Sequence, residues 1–196
     1  MIFLEKCNEL IEEFKQDCKT QKNGTLMLKL GNIPRSGYAF YKGLEQEHIK
    51  HFLIDAYKNN MPKEYLELIE NFNGIRLFTV KVNYYGKFSF AHPRFAIYGI
   101  PMVPPGKRED EEPFDVRIED LARHRKISDK WLKVGSYTKN IGDETDHDIF
   151  VDTEDGKVYT CMKNTCKIDE TWNSLDECLC ELYDRLSTTE WEYNIK

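Results

Sequence analysis

The sequence has no long apolar run, and nothing in its 196 residues approaches the roughly 20 consecutive apolar positions needed to cross a bilayer. Its opening, MIFLEKCNELIEEF, sets Glu and Lys among the apolar residues, unlike the core of an export signal, so the chain is expected in the cytosol. A basic excess is missing as well. The formal net charge of -6 disfavours direct binding of nucleic acid, whose affinity comes chiefly from Lys and Arg on phosphates. It would instead attract a basic protein surface and speed association with it.

The common catalytic and cofactor signatures are absent. No H-E-x-x-H frame, G-x-S-x-G elbow, G-x-x-x-x-G-K-[ST] cradle or G-x-G-x-x-G turn occurs. His48, His51, His92, His124 and His147 are scattered. A Ser-His or Cys-His pair meets in space and not in sequence, so spacing leaves that chemistry open without favouring it. Cys161-x4-Cys166 and Cys178-x-Cys180 depart from the C-x2-C pairs of a zinc ribbon. With Cys7 and Cys18 they read as reduced thiols in or near a core, and neither metal nor cofactor is expected.

What is present is an ordinary folding composition: 40% hydrophobic and 32% charged residues, with eleven Tyr and eleven Phe. A chain of this length buries about 70% of its unfolded surface in one core, so residues 1–196 are read as a single domain. Phe3, Cys7, Leu10, Ile11, Phe14 and Cys18 recur at helical spacing and predict a first helix over 2–18. TLMLKL at 25–30 suggests a short strand, GNIPRSG a loop, and Ile49, Phe52, Leu53, Ala56 and Tyr57 a helix over 44–58. MPKEYLELIENFNG predicts a third helix opened by Pro62, with Tyr65, Leu68, Ile69 and Phe72 on its buried face and Asn73-Gly74 as its left-handed stop.

IRLFTVKV, KFSFA, RFAIYGI, WLKVGSYT and the two arms of DIFVDTEDGKVYTCM read as strands, the last two joined at Asp155-Gly156. PMVPPGKREDEEP at 101–113 reads as a long loop, followed by a short helix over 114–125. Ser174 and Glu177 have capping-box spacing ahead of a helix whose apolar face is Leu175, Cys178, Leu179, Leu182, Tyr183 and Leu186. Helices at both ends of a run of hairpin strands predict an α+β domain with a mostly antiparallel sheet covered mainly on one side.

Acid is dense between Asp143 and Asp155, where Asp143, Glu144, Asp146, Asp148, Asp152, Glu154 and Asp155 have no Lys or Arg among them. The glycine offset does not fit a calcium loop. The plain reading is a solvated hairpin whose charges protect a strand edge. The sharper one is a patch for a cationic partner, formed by Asp143, Glu144, Asp146 and Asp148 with Glu109, Asp110, Glu111 and Glu112 of the long loop.

Several blocks, in order, resemble the SUKH superfamily, which includes fungal cell-wall synthesis regulators and bacterial immunity proteins. They are MPKEYLELIENFNG, PFDVRIEDL, WLKVGSYTKNIGDETDHDIFVDTEDGKVYTC and SLDECLCELYDRL, spread over about 44–188. Pro62, Tyr65, Phe72, Asn73, Gly74, Trp131, Gly135, Asp152 and Gly156 carry the resemblance. It implies a non-enzymatic, protein-binding α+β domain which, in bacteria, neutralises a toxin, often a nuclease, delivered by a competitor or by kin. The alternatives are a regulatory or scaffolding module of the same fold that binds a host protein, or a ligand-binding protein or enzyme whose site assembles only in space.

Overall fold

The computed structural model describes residues 1–29, 36–50, 61–84, 87–100, 130–139, 146–163 and 167–188. They build one antiparallel sheet whose nine strands lie side by side in chain order. These are β1 (Cys18–Thr20), β2 (Leu26–Lys29), β3 (Ser36–Lys42), β4 (Phe72–Tyr84), β5 (Lys87–Ile97), β6 (Trp131–Thr138), β7 (Asp146–Asp152), β8 (Val158–Met162) and β9 (Ile168–Trp172). The helices are α1 (Ile2–Glu13), α2 (Lys63–Asn71) and α3 (Leu175–Ser187), with a 3-10 turn over Lys15–Asp17 and a helical turn at 46–50. The α+β class and the N- and C-terminal helices are as the sequence predicts.

The helices cover one face. Phe3, Leu4, Cys7 and Leu10 of α1, Tyr65, Leu68 and Ile69 of α2, and Leu175, Cys178, Leu179, Leu182 and Leu186 of α3 join Ile75, Leu77, Phe95, Ile97, Leu132, Val134, Ile149, Val151 and Val158 in one apolar cluster. Fully burying a Leu, Ile or Phe side chain contributes about 1.5–3 kcal/mol, so this layer is the main source of stability. On the opposite face Trp131, Phe150 and Cys161 form a second cluster. There the Trp131 ring stacks on Tyr159 at 4.3 Å, and its Nε1 donates to Asp152 Oδ2 at 3.1 Å.

The first helix stops at Glu13, short of 18, because Cys18 is taken up by pairing with Leu28 at the sheet edge. Phe72 is a second correction. It is extended, opens β4 opposite Lys42, and is not the last position of the helical face. The helix therefore ends before Asn73-Gly74. Gly74 does have the expected positive φ, +105°, but within the first residues of β4. Asn73 is a clamp: its Nδ2 donates to Ile100 O at 2.8 Å and its Oδ1 accepts from Ile100 N at 2.7 Å. The chain passes so close that a Cβ on Gly99 would lie 2.3 Å from Asn73 O. Tyr65 Oη adds a bond to Tyr98 O at 2.8 Å, so α2 and the start of β4 both grip 98–100.

KFSFA and RFAIYGI are not two strands. β5 runs through His92-Pro93, and Pro93 stands opposite Thr79 at the register shift between Thr79 and Lys81, the kind of irregularity at which a strand accommodates proline. In β4 alternation fails at Phe78, whose φ of +54° marks a bulge opposite Tyr38 that turns adjacent Leu77 and Phe78 into the same core. β3 and β9 were not expected from the sequence. Of the helix predicted over 44–58, residues 46–50 are helical; 51–58, the loop 101–113 and the helix over 114–125 lie outside the described residues.

Candidate functional site

The three helices bring their N-terminal ends together, and carboxylates of one helix cap the next. Glu64, in the first turn of α2, accepts from Leu175 N at 2.6 Å and Asp176 N at 3.3 Å, the first amides of α3. Asp176 in turn accepts from Ile2 N and Phe3 N of α1, each at 2.9 Å. These amides have no partner within their own helix, and the helix dipole favours an anion there. Ser174 Oγ accepts from Glu177 N at 3.1 Å, the predicted cap, while Glu177 reaches back to Asn173 N at 3.0 Å.

Counted helix by helix, acid outnumbers base throughout. α1 exposes Glu5, Glu9, Glu12 and Glu13 against Lys6; α2 has Glu64, Glu67 and Glu70 against Lys63; α3 has Asp176, Glu177, Glu181 and Asp184 against Arg185. The negative charge of these helices exceeds the chain's formal -6, so the remainder is on balance basic. α1 and α3 adjoin: Lys6 is ion-paired with Asp184 and Phe3 meets Tyr183 edge-on at 6.3 Å. The carboxylates of α3 are all engaged, Asp176 and Glu177 at helix caps, Glu181 with Trp172 and Arg185, and Asp184 with Lys6. The outward acid is therefore that of Glu5, Glu9 and Glu13 on α1, with Ile2 exposed beside it.

The hairpin carboxylates behave differently. Asp148 is no exposed contact residue: it is buried, with Lys133 Nζ at 2.9 Å from its Oδ1. Asp146 accepts from Thr138 Oγ1 at 2.8 Å and pairs with Lys163 at 3.1 Å. Asp152 holds Trp131 and Glu154 N, Glu154 pairs with Lys130 at 2.6 Å, and Asp155 pairs with Lys157 at 3.2 Å across the turn at Gly156, φ +75°. The segment that lacks a cation in sequence is met by lysines from its flanks and neighbouring strands. Gly135, opposite Ile149 in β6, lies where a Cβ would come within 2.5 Å of Ala96 O, a packing role. Glu109, Asp110, Glu111, Glu112, Asp143 and Glu144 lie outside the described residues.

A second polar group ties β6, β7, β9 and α3. His147 is buried, stacks on Tyr137 at 5.1 Å and places Nε2 3.3 Å from Asp169 Oδ2, which also pairs with Lys139. Glu170 takes two bonds from Arg185, each 2.8 Å, and the guanidinium holds its carboxyl well down, at about 2. Burial pushes the Tyr137 hydroxyl above the ordinary phenol range. Asp169 and Glu170 meet Lys139 and Arg185 here, as in a structural tie between strands and helix.

Burial likewise raises the Cys7 and Cys178 thiols, and it raises Cys180 to about 11, with Asp176 adding to the effect. Thiols so held stay protonated at neutral pH and are poor nucleophiles. Among the described residues no group of three or more His, Cys, Asp or Glu side chains could hold a metal ion, and no helix is long and apolar enough to cross a membrane. The outward acid of α1 is spread at helical spacing and is overshadowed in the sequence by the denser run at 143–155; net charge counted helix by helix finds it. No family model matches the chain, and no curated protein or solved structure shows significant similarity to it.

Proposed function

We propose that this chain is a non-enzymatic protein-binding domain of the immunity type, which holds a basic toxin domain against the acidic outer surface of α1. The observation that carries the reading is the division of labour among carboxylates. Those of the 146–155 hairpin meet Lys, Thr, Trp or backbone partners, whereas Glu5, Glu9 and Glu13 stand exposed on α1. A surface of one sign steers an oppositely charged partner and raises association from about 10⁵–10⁶ toward 10⁸–10⁹ M⁻¹s⁻¹ at low salt. A nuclease, whose own site is built for phosphate, presents such a basic surface.

The resemblance of several sequence blocks, in order, to those of SUKH immunity proteins supports the choice of a toxin over other basic proteins. The motif residues themselves serve the frame: Tyr65 and Asn73 grip 98–100, Trp131 and Asp152 bond each other, and Gly74 and Gly156 supply turns of backbone. Function then resides on the helical surface they support. Coexpression with a toxin domain encoded beside this gene tests the proposal, the expected result being restored growth. Growth arrest that persists despite folded, abundant protein, or recovery of a housekeeping partner with no toxin bound, counts against it.

A further inference from the structure

We draw no further inference here: the strongest candidate, the helix-free face of the sheet where Arg76, Ala96, Ser136 and Asp148 stand opposite one another across β4, β5, β6 and β7 beside Tyr98 and Lys133, carries nothing because the described residues do not show what covers it.

Discussion

Replacing Asn73 tests how the frame is held. The side chain is 2% exposed and Ile100 is fully buried, so the two bonds between the Asn73 amide and the Ile100 backbone are made away from water. In Asn73→Ala, the Ile100 N–H and C=O lose these partners. Each unsatisfied buried group costs about 1–3 kcal/mol, so the variant should lose roughly 2–6 kcal/mol, a large part of the 5–15 kcal/mol typical of a domain. Asn73→Asp separates this cause from packing. Its carboxylate can accept from Ile100 N but faces Ile100 O with a negative charge, whereas the protonated acid both accepts and donates, as the amide does. The folded pKa of that Asp would be raised above its unfolded value, so the stability it contributes is present at low pH and lost as pH rises through the folded pKa. Urea unfolding of wild type, Asn73→Ala and Asn73→Asp across acidic to neutral pH reads both effects. A loss under about 1 kcal/mol in Asn73→Ala, or an Asp variant whose deficit does not shrink on acidification, would refute the clamp.

Other substitutions follow the same logic. Gly74→Val puts a β-branched residue at a φ of +105° and should cost about 1–3 kcal/mol in chemical denaturation, with Gly74→Ala costing less. Asp148→Ala leaves the Lys133 charge buried and should cost about 3–5 kcal/mol, while the Lys133→Met, Asp148→Leu double variant should recover much of that loss. Glu170, held at about 2 by Arg185, is more acidic folded than unfolded. Its contribution is present above the ordinary value of 4.5 and is lost as pH falls toward about 2, so thermal stabilities of wild type and Glu170→Gln should converge over that interval.

Much of the frame was legible because its signals are local. Ser174 and Glu177 announce their helix in four residues, Asp155-Gly156 joins β7 to β8, and Tyr65, Leu68 and Ile69 share one face of α2 at helical spacing. What stayed hidden depends on partners distant in sequence. Cys18 leaves helical spacing for an edge ladder, Phe72 is drawn into β4 by β3, and Asn73 turns from a helix stop into a clamp only when Ile100 arrives. β9 offered little apolar alternation, since IDETW is an exposed edge whose Glu170 is ordered by Arg185 of α3. For the site, counting acids along the chain singled out 143–155, but the fold brings Lys133 and Lys163 to that segment and leaves Glu5, Glu9 and Glu13 on the surface.

The central claim is that this acidic helical surface meets the partner. It is tested most directly by the association rate of the proposed partner, a basic toxin domain encoded beside this gene, with wild type and with the Glu5→Lys, Glu9→Lys, Glu13→Lys variant over a range of salt. Glu9 and Glu13 lie beyond the capped first turn of α1, whereas Lys at position 5 opposes the helix dipole, so the variant should keep its fold with a loss of about 0.3–1 kcal/mol from that position. The account predicts association slowed tenfold or more at low salt, with a much weaker dependence on ionic strength, as expected when steering is removed (about one to three decades). Unchanged rates and salt dependence in the folded variant would contradict it.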